Sequence, residues 1–139
     1  MNYFINILFG HLIGDFFIQP KAMAVKKGAS NWIAFGHVAL YTLAIAVFTS
    51  WNWRWLLFVF VTHFMVDRWS LADKWLQLIK GRDLPGFYHE GERDIPTTTN
   101  AEMMNYRILR GGFSSIVYTV VDNTIHLMTM YYAYPYLNS

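Results

Sequence analysis

Phe9-Gly10-His11-Leu12-Ile13-Gly14-Asp15-Phe16-Phe17-Ile18-Gln19-Pro20 is apolar enough for a membrane interior except at His11, Asp15 and Gln19. His11 and Asp15 stand four residues apart, which puts both on one face of a helix. The same spacing returns at His63 and Asp67 and, in reverse order, at Asp122 and His126. Each pair is an imidazole–carboxylate claw on a single helix. A seventh group, His37, stands alone in another apolar run. Ionisable groups at membrane depth are costly, and where they occur they mark functional sites. The pattern predicts one shared polar site, and its donor types predict a metal.

Composition sets the frame for that site. The 139 residues suit one domain. Hydrophobic residues make up 55% and charged residues 14%, against roughly 25% charged in a soluble domain. The shortage is local: Asp15 is the only formal charge from Met1 to Pro20, there is none from Asn31 to Asn52, and Asp122 is the only one from Phe113 to Ser139. A soluble core of this size does not hold such runs. Cysteine is absent, which excludes disulfides and thiolate zinc sites. A net charge of +2 gives no reason to expect nucleic acid as a partner. The N-terminus lacks a basic n-region, so no cleavable signal peptide is expected.

The expected fold is all-α: an integral membrane four-helix bundle forming a single transmembrane domain. The helices are read at about 3–19, 32–50, 53–70 and 113–134, each near the length a bilayer requires. Pro20 ends the first, and Pro135 lies just beyond the fourth. Trp32, Trp51, Trp53, Trp55 and Trp69 fall at the proposed ends, as an interfacial belt would. The loop 71–112 opens with an amphipathic stretch, Leu71 to Lys80, and then carries turn signals at Gly81, Pro85-Gly86, Gly91 and Pro96. Ala101 to Arg110 reads as a further short helix capped by Asn100, with Gly111-Gly112 resetting the chain. Gly10 and Gly14 form a small-x-x-x-small pair that permits close helix approach. Phe9-Gly10-His11 recurs as Phe35-Gly36-His37, with Tyr41 in the place of Asp15.

Ten of the eleven basic residues fall in the first and third loops or at Arg68. The positive-inside rule then makes loops 20–31 and 71–112 cytoplasmic, with both termini outside. His11, Asp15, His37, His63 and Asp67 all come within ~12 Å of the cytoplasmic end at ~1.5 Å per residue. Asp122 and His126 sit ~14–20 Å in from Phe113. All four helices therefore offer polar groups in the inner half of the bilayer.

Imidazole and carboxylate together suit Zn, Mn or Fe better than Mg or Ca. Four histidines and three aspartates exceed the needs of one tetrahedral ion, so one or two divalent transition metals are expected among His11, Asp15, His37, His63, Asp67, Asp122 and His126. Asp15 and Asp67 are the candidate proton acceptors. Gln19, Thr62, Asn123 and Thr124 are at hand to orient the ligands by hydrogen bonds. His89, in the charged run Phe87 to Asp94, reads as a solvated residue.

With these residues in view, the chain resembles an uncharacterised family of small multi-pass membrane proteins found in bacteria and tailed phages. The likeness rests on His11-Leu12-Ile13-Gly14-Asp15 with Gln19, on His37, on Thr62-His63 with Asp67, and on Asp122 with His126. That family is similar to membrane-bound metal-dependent hydrolases. The resemblance implies an inner-membrane, metal-dependent hydrolase of a phosphoester or ester, with the lipid bilayer as surroundings and a lipid or other phosphoester as substrate. A homo-oligomer is compatible with it. Two other classes keep the same residues. One is a proton or metal-ion transport protein. The other is a non-enzymatic interaction protein with a structural metal.

Overall fold

The computed structural model describes residues 2–20, 23, 27, 30–80 and 101–138, with side chains for all of these but 80, 101–111 and 114. Lys21, Lys26, His89, the turn signals from Gly81 to Pro96 and the Asn100 cap lie outside the described residues. Five helices account for nearly all of the described chain, and no strand occurs among these residues. They are α1 (Tyr3–Leu12), which continues into a π-helical turn (Ile13–Phe17), α2 (Asn31–Phe48), α3 (Trp53–Arg68), α4 (Leu71–Lys80) and α5 (Ala101–Leu137). The all-helical expectation holds. Among the described residues α2 alone is by itself long and apolar enough to cross a membrane; Tyr3–Phe17 is apolar but shorter.

The helix ends follow local chemistry. Asn2 caps α1 by accepting from the Phe4 N–H at 3.2 Å, and Asn52 caps α3 by accepting from Arg54 at 3.0 Å. Thr49 closes the α2–α3 turn. Its hydroxyl donates to the Ile45 carbonyl at 2.7 Å and accepts from the Trp55 indole at 2.9 Å. Two expectations fail at α5. Gly111-Gly112 does not reset the chain, because α5 runs through both residues. Each glycine costs about 1 kcal/mol against alanine in a helix but keeps its N–H and C=O in the ladder. Pro135 lies inside α5 instead of beyond it. With no N–H to offer the carbonyl four residues back, Pro135 costs α5 one ladder bond, and the helix ends two residues later.

The chain forms two compact units: Met1–Ser70 with Thr124–Ser139, and Leu71–Asn123. In the second, α4 buries Ala72 and Leu76 and exposes Trp75, Leu78 and Ile79. Gln77 donates to Asp73 one turn back at 3.0 Å, which supports the helix.

In the first unit α2 packs against both α1 and α3. The close approach of α1 to α2 is made by two glycines. A Cβ on Gly10 would stand 3.0 Å from Ile45 Cδ1, and one on Gly14 would stand 2.6 Å from Tyr41 Cδ2. At Gly14 a methyl would overlap the Tyr41 ring, while at Gly10 it would need Ile45 to give by a few tenths of an ångström. The apolar core is Ile7, Tyr41, Ile45, Trp55, Val59 and Met130. Tyr3 stacks on Tyr131 and Tyr134 at 5.3 Å, and Trp55 meets Tyr134 edge-on at 5.0 Å, so the end of α5 is fastened to α1 and α3 through aromatic rings.

Ionisable groups lie inside as well. His11, His37, His63, Asp67, Asp122 and His126 are buried, while Phe16, Phe17, Trp32, Phe35 and Trp53 are exposed.

Candidate metal centre

Three helices and the α1 extension converge on one point. Asp15 comes from the π turn, His37 from α2, His63 and Asp67 from α3, and His126 from α5. The π turn is fixed by the Ile18 N–H donating to the Ile13 carbonyl at 3.0 Å, five residues back. Such turns admit one extra residue and recur at functional sites. Here the turn keeps His11 against Asp15 at 3.4 Å while Asp15 and Gln19 both reach His37.

The distances bring four donor atoms close together. His37 Nε2 stands 3.0 Å from His63 Nε2, 3.1 Å from Asp15 Oδ1 and 3.0 Å from Asp67 Oδ2. His63 Nε2 stands 3.5 Å from Asp15 Oδ1 and 3.2 Å from Asp67 Oδ2. His37 Nε2, His63 Nε2 and Asp67 Oδ2 thus form a triangle whose centre lies about 1.8 Å from each corner, so an ion slightly out of its plane would reach all three at about 2.0–2.1 Å, the bond length of zinc to imidazole nitrogen and carboxylate oxygen. One N–H on His37 can aim at one acceptor only, and three electron-rich atoms surround that nitrogen. A cation at the centre satisfies them all at once.

A second group shares His63 with the first: His63, Asp67 and His126 offer ligand atoms within 4.8 Å of one another. Asp67 joins the two groups, with Oδ2 facing His37 and His63 and Oδ1 lying 3.5 Å from His126 Nε2. Both Asp67 oxygens are buried and have neighbours at ion-pair distance without hydrogen-bond alignment. Burying a carboxylate this way is expensive unless a cation compensates it. Lys27 supplies one such cation, and the donor groups could also hold a metal ion, with Asp67 lying between the two groups.

The hydrogen-bond partners of the ligands fall out unevenly. Gln19 reaches His37 Nδ1 at 3.1 Å, as a group that fixes the ring's orientation should. Thr62 turns its hydroxyl to the Phe58 carbonyl at 2.8 Å and lines a small cavity beside His63 and His126. Asn123 donates to the Thr119 carbonyl of its own helix at 2.7 Å. Thr124 lines an outer groove with Asn2, Leu127 and Tyr131. His11 and Asp122 are buried but belong to neither ligand group; Asp122 sits one turn before His126 on α5.

Two residues of the site were not among those picked out from the sequence. The Tyr41 hydroxyl lies 2.7 Å from His11 Nδ1, and its ring stacks on His63 at 3.6 Å. Its signal was the repeat of Phe-Gly-His, which set Tyr41 in the place of Asp15. Lys27 puts Nζ 2.8 Å from Asp67 Oδ2. It had counted only as a loop charge for topology, and nothing in its spacing tied it to α3.

The fold and the centre define a class: an all-α protein with a buried histidine–aspartate cluster able to hold a metal ion. The chain belongs to the family described as "Protein of unknown function (DUF3307)", which matches residues 3–137. No curated protein and no solved structure matches it.

Proposed function

We propose that this protein is a membrane-embedded, divalent-metal-dependent hydrolase of phosphoester or ester substrates. The close buried donor set of His37, His63, Asp15 and Asp67 carries the reading. Buried ionisable groups beneath an exposed aromatic surface support a multi-pass bundle in a bacterial inner membrane, with the centre in its cytoplasmic half. Zn, Mn or Fe suits the donors. When bound, the metal supplies Lewis acidity and a water acidified toward neutral pH.

The chain's own residues divide the remaining work. The Asp67 side chain is 1% exposed and the Asp15 side chain 9%, so of the two carboxylates Asp15 is the one that water reaches more readily as a base. His11 Nδ1, 3.4 Å from Asp15 and 2.7 Å from the Tyr41 hydroxyl, stands beside that carboxylate as a neighbouring proton acceptor. A cavity of about 10 Å³ beside His63 and His126 has room for about one water. Lys27 is partly exposed at the edge of the centre, where an ammonium favours a phosphoryl anion over a neutral ester.

The test is hydrolysis of bis-p-nitrophenyl phosphate and of phospholipid by the detergent-solubilised protein, with and without a chelator. Turnover that the chelator abolishes and Asp15→Asn lowers supports the reading; turnover unaffected by the chelator refutes it. A second reading, a metal-ion carrier, draws on the closure of the centre, whose ligands are almost wholly buried. It requires metal flux into liposomes, which the hydrolase does not.

A further inference from the structure

Tyr41 stands where the buried histidines meet. Its ring centroid lies 3.6 Å from that of His63, 5.7 Å from His11, 6.2 Å from His37 and 6.3 Å from His126. Of these rings His63 lies flattest against it, at an interplanar angle of 21°. His126 also stacks on His63, at 4.0 Å and 28°.

The Tyr41 ring is itself held fast. The residue is fully buried on α2. Gly14 of the π turn comes so near that a Cβ there would stand 2.6 Å from Tyr41 Cδ2. The hydroxyl lies 2.7 Å from His11 Nδ1 on α1 and donates to Met130 Sδ on α5 at 3.5 Å. A ring wedged at its edge and tethered at its hydroxyl presents a fixed plate to His63.

His63 depends on such a plate. A ligating imidazole is ordinarily oriented by a hydrogen bond at its other ring nitrogen. His37 has that bond, with Gln19 at 3.1 Å from its Nδ1. His63 turns Nε2 toward His37, Asp15 and Asp67, and its buried Nδ1 has no hydrogen-bond partner among the described residues. The χ2 torsion of histidine is broad by itself. Packing against aromatic faces therefore decides where His63 Nε2 aims, because turning the ring about χ2 breaks the stack.

We propose that Tyr41 is a positioning residue of the metal centre, its ring and not its hydroxyl fixing the orientation of His63 as a ligand. The inference rests on the metal part of the proposed function and on nothing about membrane or substrate.

The experiment is titration of the full-length, detergent-solubilised protein with Co(II), whose visible spectrum reports coordination geometry. Wild type and Tyr41→Phe give the same spectrum. Tyr41→Leu, which lacks the ring, gives an altered spectrum and binds Co(II) about 10- to 100-fold more weakly, the range for losing a group that orients a ligand. Tyr134→Leu removes a ring that packs on Tyr3 and Trp55 instead, and it keeps the wild-type spectrum. Tyr41→Leu with the wild-type spectrum and affinity, or Tyr41→Phe or Tyr134→Leu altered as much as Tyr41→Leu, overturns the proposal. If Tyr41→Leu does not fold, nuclear Overhauser contacts between the His63 and Tyr41 rings of the zinc-loaded wild type decide: their presence supports the proposal and their absence overturns it. Failure of the metal reading looks different: the wild type then shows no cobalt spectrum at all, and this inference falls with it.

Discussion

Gly14→Ala tests the helix approach on which the centre depends. A Cβ at Gly14 would lie 2.6 Å from Tyr41 Cδ2 and 3.2 Å from Tyr41 Cα. Carbon–carbon contact is comfortable from about 3.5 Å, so the shortfall is about 0.9 Å. The ring has little freedom to yield, since it stacks on His63 at 3.6 Å and its hydroxyl lies 2.7 Å from His11 Nδ1. The α1 extension must therefore move away, and Asp15 is the next residue. Overpacking of this kind costs about 1–3 kcal/mol. Ligand atoms must hold their distances to within about 0.2 Å, so the strain falls on the centre. Metal affinity should drop about 5- to 150-fold, the equivalent of that cost. The assay is chelator competition in detergent, with Gly112→Ala as control, since a Cβ there meets nothing within 4 Å. The control should keep its metal and gain up to about 1 kcal/mol from helix propensity. A Gly14→Ala protein that binds metal as tightly as wild type would show that the α1–α2 contact does not position Asp15.

Three further outcomes follow from the same geometry. Lys27→Met removes a competing cation 2.8 Å from Asp67 Oδ2; divalent-metal affinity should rise about tenfold by chelator competition, a modest part of the Coulomb energy of such a pair, and a fall would refute the competition. Tyr41→Phe loses the hydroxyl 2.7 Å from His11 and 3.5 Å from Met130 Sδ. It should cost about 1–3 kcal/mol in detergent unfolding without changing metal stoichiometry; an unchanged midpoint would contradict that. His126→Ala should keep the ion held by His37, His63, Asp15 and Asp67 and lose any second equivalent; complete loss of metal would move His126 into the first group.

The claws were legible because an i,i+4 pair needs only a helix to meet, and helices were implied by the apolar runs. His63 and Asp67 do meet at 3.2 Å, and His11 and Asp15 at 3.4 Å. What the spacing does not carry is rotation. The π turn at Ile13–Phe17 is set by packing on α2, and it decides that Asp15 faces His37. Lys27 reaches Asp67 from across forty positions of sequence, a tertiary contact with no local signature. The break expected at Gly111-Gly112 was a propensity argument, and propensity is weak against a continuous hydrogen-bond ladder. The glycines Gly10 and Gly14 were readable in kind, while their partners Ile45 and Tyr41 became apparent only from the packing.

The central claim is that His37, His63, Asp15 and Asp67 enclose a divalent transition metal, and elemental analysis of the purified protein beside His63→Ala tests it most directly. His63 belongs to both ligand groups, so its loss disables either arrangement. One or two equivalents of Zn, Mn or Fe in the wild type, absent from His63→Ala, is the expected result. A wild-type protein that holds no such metal even after reconstitution, or a His63→Ala protein that holds as much as wild type, would contradict the claim.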